Sequence, residues 1–305
     1  MKPDAGFDLF AGKGHRPVTE PPYPSLMTTL AARVRLLLVG LHLLFGAFQA
    51  AALFRLGGAR WRQQLKRVWS RQLLGILGIR IESGDGLSSV EGGLLVGNHI
   101  SFIDIFVINA LLPCAFVAKS EVGQWPLIGW LSRQTDTVFI ERGSRKAAHR
   151  THQQMRHAFD AGLRLAIFPE GTTTAGDTLL PFHGALFQSA IDAGVPVHAI
   201  ALSYHDAGGA RSEAPAYIGD ISLIDCLVRV LQAGGLVARV TLAASFVPPL
   251  PDRRHLAHRA HQAVATALAI ARGQVESPAF DSGNTGQNPS EAPAQPLRNE
   301  AAISP

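Results

Sequence analysis

The chain has 305 residues, 47% of them apolar and 17% charged, with a formal net charge of +5. That suffices for one large domain or two small ones around a sizeable core, and excludes a largely disordered chain. Two cysteines, Cys114 and Cys226, with no Cys-x-x-Cys pair, exclude a disulfide framework and a cysteine metal site, and are compatible with a reducing compartment.

Residues 1–24, rich in Gly, Pro and charge, read as a disordered arm, without the basic start and apolar run of a secretory signal. From Pro21 to Ile81 there is no Asp or Glu but nine Lys and Arg, more than the net charge of the whole chain, so the remainder is slightly acidic. A nucleic-acid reader would set such charge beside aromatic platforms or a recognition helix. Here it flanks an apolar run, which points to an anionic membrane surface. Residues 25–78 are therefore expected to form membrane-associated helices. The run Leu36–Phe54 carries no formal charge over 19 residues. As a helix it would be about 28 Å long, near the ~30 Å hydrocarbon core, and it would span the bilayer or lie in one leaflet. A buried soluble helix is the alternative. Residues 60–78 place Trp61, Leu65, Val68, Trp69 and Ile76 on one helical face and Arg60, Gln64, Arg67 and Arg71 on the other. This suits a basic amphipathic helix in the interface; the plainer alternative is a solvated helix packed on the domain.

From residue 79 short apolar runs alternate with helix-length segments. Strands are predicted at 79–83, 93–98, 115–119, 137–141, 163–168, 197–204 and 236–245, and helices at 101–112, 145–161, 184–193 and 253–272. The pattern predicts an α/β domain over 79–273, a largely parallel mixed sheet flanked by helices, with functional residues where strands end. Residues 274–305 turn to Ser, Asn, Gln, Pro and Glu and read as a disordered tail.

Within 96–106, VGNHISFIDIF, four polar residues interrupt an apolar run, and buried polar groups cost free energy unless hydrogen-bonded. Ser101 and Asp104 fit a capping box, the carboxylate reaching back to the cap's own backbone. His99 is then left over. If a helix starts at Ser101, His99 lies in the preceding turn, where Asp104 can accept from one imidazole nitrogen and leave the other free as a general base. Two more strand exits carry polar residues, VFIERGSRK (138–146) and LAIFPEGTTT (165–174). Each alone is compatible with an ordinary solvated loop.

NHISFID, VFIERG, IFPEGT and VPVHAIAL (195–202), in this order and spacing, resemble the four sequence blocks of the glycerolipid acyltransferases, the 1-acyl-glycerol-3-phosphate and lysophospholipid acyltransferase family. AKSEVGQWPLIG (118–129) resembles the family's connecting stretch, and the likeness covers residues 60–245. It implies transfer of an acyl group from a thioester, acyl-CoA or acyl carrier protein, to a lysolipid hydroxyl at the cytoplasmic face of a membrane, with no cofactor or metal. By the same resemblance His99 is the catalytic base and Asp104 its orienting carboxylate, while Arg142, Lys119, Glu170, Gly171 and Thr172 bind substrate. Oxyanion donors are expected among backbone N–H groups of the two motifs.

The acceptor stays open. Phosphatidate-forming members commonly carry Arg after Phe-Pro-Glu-Gly-Thr, where this chain has Thr173, and Lys where it has His183. In this the chain resembles the branch that acylates lyso-ornithine lipids. Arg142, Arg145 and Lys146 supply positive charge, and the reading leans to 1-acyl-glycerol-3-phosphate, with lyso-ornithine lipid as the alternative. A non-catalytic membrane lipid-binding protein is the alternative of another class. The histidine sets 149, 152, 157 and 255, 258, 261 lack carboxylates or cysteines at ligand spacing, AGKGH (11–15) lacks Walker spacing, and no Gly-x-Ser-x-Gly is present. These disfavour metal, nucleotide and serine-hydrolase chemistry.

Overall fold

A computed structural model describes residues 30–54, 56–140 and 145–271. The expected arm and tail lie outside the described residues.

Two helices lead in, α1 (Leu30–Ala52) and α2 (Ala59–Leu77), followed by β1 (Ile79–Ser83), β2 (Leu94–Gly97), α3 (Asp104–Leu111) and β3 (Ala115–Lys119). Then come α4 (Pro126–Gln134), β4 (Val138–Ile140), α5 (Arg145–Asp160), β5 (Leu165–Ile167), α6 (Phe187–Ala193) and β6 (Val197–Asp206). The described chain closes with α7 (Leu223–Gln232), β7 (Leu236–Phe246) and α8 (Arg253–Ala271). All seven expected strands form one sheet in the order β1-β7-β6-β2-β5-β3-β4. Every neighbouring pair is parallel except β6 with β7. The α/β expectation therefore holds, with one antiparallel step supplying the mixed character.

Alternation along the strands builds a core on each face. Leu95 joins Val39, Leu73, Val107 and Leu231 beneath α1, α2, α3 and α7, whereas Leu94 and Val96 join Met155, Phe187 and Leu256 beneath α5, α6 and α8. Gly93, at φ +74°, lets β2 lie against β6: a Cβ there would stand 2.3 Å from the Pro196 carbonyl oxygen.

Two helices were not expected, and α3 starts later than expected. α4 opens on Pro126 at its first turn, a position where the missing N–H costs nothing. α7 is capped by Ser222, whose hydroxyl accepts from the Asp225 amide at 3.1 Å. α3 begins at Asp104 rather than residue 101, because the Asp104 carboxylate holds residues 99–101 in a turn.

The entry helices divide the roles expected of them. In α2 the buried residues are Lys66, Ser70, Leu73, Leu74 and Leu77, while Trp61 and Val68 are exposed. Lys66 Nζ, Arg67 Nη2 and Arg71 Nε donate to the carbonyls of Cys114, Leu111 and Ala110, the last two in the final turn of α3. The two arginines satisfy orphan carbonyls at the negative end of α3 and Lys66 meets the loop beyond it, so α2 is packed on the domain and its basic face is only partly available to a membrane. α1 is different. It is long and apolar enough to cross a membrane, and most of that stretch is exposed rather than buried. Leu37, Leu41, Leu44 and Phe48 are each more than half exposed. Its inner stripe carries His42 and Gly46. His42 Nε2 meets the Trp69 carbonyl at 3.0 Å, the Trp69 indole N–H donates back to the His42 carbonyl at 3.1 Å, and the rings stack.

Candidate active site

β2 and β5 are neighbours whose connections leave in opposite directions, β2 toward β3 and β5 toward β6. Such a divergence opens a crevice at the strands' carboxyl ends. His99 follows β2 and Phe168 follows β5 at that edge. Asn98 is structural: its side chain donates to the Leu202 carbonyl at 2.9 Å and accepts from the Leu202 amide at 2.8 Å. It thereby extends the β2–β6 ladder past the Gly97–Ile200 pair.

Asp104 is fully buried and receives four donors. Oδ2 accepts from the amides of Ile100 (2.7 Å) and Ser101 (2.9 Å) and from His99 Nδ1 at 2.9 Å, and Oδ1 accepts from the Tyr204 hydroxyl at 2.8 Å. The expected reach of the carboxylate to the Ser101 amide is present, but the Ser101 hydroxyl serves Ile103 rather than the helix at residue 104. With Nδ1–H donating to a carboxylate, Nε2 retains its lone pair, and it has no protein partner among the described residues. The imidazole stacks flat on Phe168, centroids 3.9 Å apart and planes 3° apart. One face is thus packed, and the ring keeps 19% exposure.

Glu170 lies behind this turn. It is 3% exposed, with Oε1 accepting from the His99 amide at 2.7 Å and Oε2 from the Leu180 amide at 2.9 Å. Burial pushes its carboxyl up to about 7; those two amides pull it down, and the Asp104 charge adds to the rise. It ties the His99 turn to the 180 segment and does not line the crevice, in contrast to the substrate contact that the resemblance implies. Further bonds stitch the loops: the Thr174 amide to the His99 carbonyl, the Tyr217 amide to the Ile100 carbonyl, and the Thr173 hydroxyl to the Tyr217 carbonyl.

The crevice widens into a cleft of about 1660 Å³. One end is lined by His99, Phe168, Gly171, Thr172 and Thr173, and the other by apolar residues of α1, α2 and α4 such as Leu43, Trp69 and Leu131. Lys119, exposed at the end of β3, is on the lining too. Arg142 lies outside the described residues. Of the expected oxyanion donors, the amides of His99, Ile100, Ser101, Gly171 and Thr174 are engaged by protein acceptors. The Thr172 and Thr173 amides have none among the described residues.

Cys114 is buried, and burial pushes its thiol up to about 12, so it carries no thiolate at neutral pH. Among the described residues no cluster of His, Cys, Asp or Glu could hold a metal ion. His152 pairs with Asp192 at 2.9 Å, His149 with Gln153, and His261 packs edge-on against Phe182.

Three residues of the site were not singled out from sequence. Tyr204 sits 100 positions from Asp104, and its only sequence signal is a tyrosine at the end of an apolar strand. Phe168 closes the apolar run of a predicted strand, and that position alone accounts for an aromatic residue there. Tyr217 sits in an unpatterned loop with no local signal.

A family model described as Acyltransferase matches residues 78–203. The lyso-ornithine lipid O-acyltransferase of Pseudomonas aeruginosa is 39% identical over 211 residues, 68% of this chain and 79% of that protein. The lyso-ornithine lipid O-acyltransferase of Rhodobacter capsulatus is 35% identical over 272 residues, 82% of this chain and 95% of that one. The 1-acyl-sn-glycerol-3-phosphate acyltransferase of Neisseria meningitidis is 40% identical over 171 residues, 56% and 67% of the two chains. In fold, the chain is similar to the crystal structure of the 1-acyl-sn-glycerophosphate acyltransferase of Thermotoga maritima. The TM-score is 0.55 at 19% identity, covering 80% of this chain and 99% of that one.

Proposed function

The chain belongs to the acyltransferase family of lyso-ornithine lipid and 1-acyl-sn-glycerol-3-phosphate acyltransferases, and from that premise we propose how it works and on what. It is a lysolipid O-acyltransferase. His99 Nε2 takes the proton of the acceptor hydroxyl as that oxygen attacks the carbonyl of a thioester donor, acyl-CoA or acyl carrier protein. Asp104 holds the tautomer and stabilises the imidazolium that forms. The tetrahedral intermediate collapses with loss of the thiolate, which recovers the proton from His99, leaving ester and free thiol. The Thr172 and Thr173 amides, beside His99 on the cleft lining, are the donors assigned to the oxyanion. The observation that carries this reading is the 2.9 Å contact between His99 and the buried Asp104 at the cleft wall. No acyl-enzyme is needed, and transfer is direct. The apolar end of the cleft receives acyl chain, and the exposed face of α1 attaches the enzyme to the membrane on its cytoplasmic side, where such donors occur.

For the acceptor, the leaning toward lysophosphatidate gives way to lyso-ornithine lipid. Thr173 stands where an arginine would grip a phosphate, and its hydroxyl is turned to the Tyr217 carbonyl. The lack of one charge-assisted contact costs about 1.5–3 kcal/mol, or ten- to hundredfold. The relative matched over 95% of its length also carries the lyso-ornithine name. A second reading, lysophosphatidate, is favoured by Lys119 on the cleft lining and by the Neisseria relative. Release of free thiol by purified protein with each acceptor separates them. A kcat/KM at least tenfold higher for lyso-ornithine lipid, narrowed by Thr173→Arg, is expected; a wild-type preference for lysophosphatidate would reverse the assignment.

A further inference from the structure

The fourth of the sequence blocks, VPVHAIAL, gives the proposed chemistry no residue of its own, yet the strand it forms runs on through Tyr204. This side chain is 1% exposed, does not line the cleft and cannot touch substrate. Its hydroxyl nevertheless donates to Asp104 Oδ1 at 2.8 Å, the carboxylate oxygen opposite the one that holds His99. We propose that Tyr204 is a positioning residue of the acyl transfer, acting through Asp104 to set both the orientation and the base strength of His99.

The geometry supports each half of this. Three donors converge on Oδ2, two of them amides of the same turn, so they fix that oxygen but leave rotation about the Cβ–Cγ bond resisted from one side only. Tyr204, from a different element, fixes the second oxygen and with it the carboxylate plane in which the imidazole N–H must lie. The phenol also withdraws electron density from the carboxylate. A carboxylate without that donor would attract the imidazole proton more strongly, and His99 would bind its proton more tightly. Burial, with the Asp104 charge adding to it, pushes the Tyr204 hydroxyl well above its ordinary range, so it remains a donor throughout the working pH range. The other titratable groups facing Asp104 are Cys226 on α7, pushed up to about 11 by burial and therefore neutral, and Glu170 behind the His99 turn.

The inference rests on His99 being the base, and the test separates the two claims. Full-length wild type, Tyr204→Phe and His99→Ala are assayed in detergent micelles for kcat, both KM values and the pH dependence of kcat/KM. Tyr204→Phe is expected to lower kcat about tenfold with both KM values unchanged, and to move the acid limb about 0.5–1 unit to higher pH. The shift is read again in a Glu170→Gln background, where that carboxyl cannot titrate. Because Tyr204→Phe leaves an unmet acceptor in the core, a second variant carries a fluorinated tyrosine at residue 204. Its more acidic hydroxyl should move the acid limb to lower pH while keeping the ring. Lower thermal stability with unchanged kcat and an unmoved limb, beside an inactive His99→Ala, would make Tyr204 a packing residue only and overturn the inference. Substantial turnover by folded His99→Ala would remove the base assignment and this inference together.

Discussion

Glu170→Gln probes a carboxyl that the fold keeps in a poor place for charge. The group is held by the His99 and Leu180 amides, and burial pushes it up to about 7 from an ordinary value of 4.5. A raised acid keeps its proton in the folded state at pH values where the unfolded chain has lost it. Between the two values the folded state binds more protons, so stability falls as pH rises through that window and levels off above the folded value. From about pH 5.5 to 7 the loss amounts to roughly 2 kcal/mol, at about 1.4 kcal/mol per unit. The glutamine does not titrate. It also turns an NH2 donor toward one of the two amides, a conflict costing about 1–3 kcal/mol at every pH. The expected result is a variant less stable than wild type at pH 5.5, with the gap closing by about 2 kcal/mol by pH 8. Equilibrium unfolding in detergent, followed through the four tryptophans, reads this directly. A gap that stays constant, or that widens with pH, would refute the account of Glu170.

Other perturbations test other parts of the structure. A Cβ on Gly46 would stand 2.5 Å from Trp69 Nε1, so Gly46→Val should part α1 from α2 and lower the melting temperature by several degrees, read by thermal scanning. Replacing Leu41, Leu44 and Phe48 with serine should shift the protein from the membrane pellet to the supernatant, while the α2–α3 contacts keep it folded; unchanged pelleting would contradict attachment through α1. Cys114→Ala should leave kcat within about twofold, because a thiol pushed up to about 12 offers no nucleophile. Radiolabelled acyl donor should leave no covalent label on the wild type.

Local signals explain what was legible in the sequence. The strands appear as short apolar runs because both faces of the sheet are covered, and His99 with Asp104 could be paired because five residues and one turn separate them. α7 does carry a local signal, Ser222 three residues before Asp225, the spacing of a capping box. α4 is only nine residues long and opens on a proline, so its sequence also suits a connecting loop. The bond from Tyr204 to Asp104 spans 100 residues and that from Thr173 to Tyr217 spans 44, and no local pattern announces a partner at such range. Glu170 shows the limit of motif reasoning: its position in the motif suggested a substrate contact, whereas its burial turns the carboxyl onto backbone amides. The basic stripe of α2 likewise suggests a membrane face, whereas two of its cations, Arg67 and Arg71, meet carbonyls in the last turn of α3.

The most direct test of the central claim is the rate of free-thiol release from an acyl thioester by purified full-length protein, with and without lysolipid, for wild type and His99→Ala. Thiol release that depends on lysolipid in the wild type and falls at least a thousandfold in a folded His99→Ala protein is the predicted result. Release that continues near the wild-type rate without His99, or that ignores the lysolipid, would contradict an acyl transfer driven by this base.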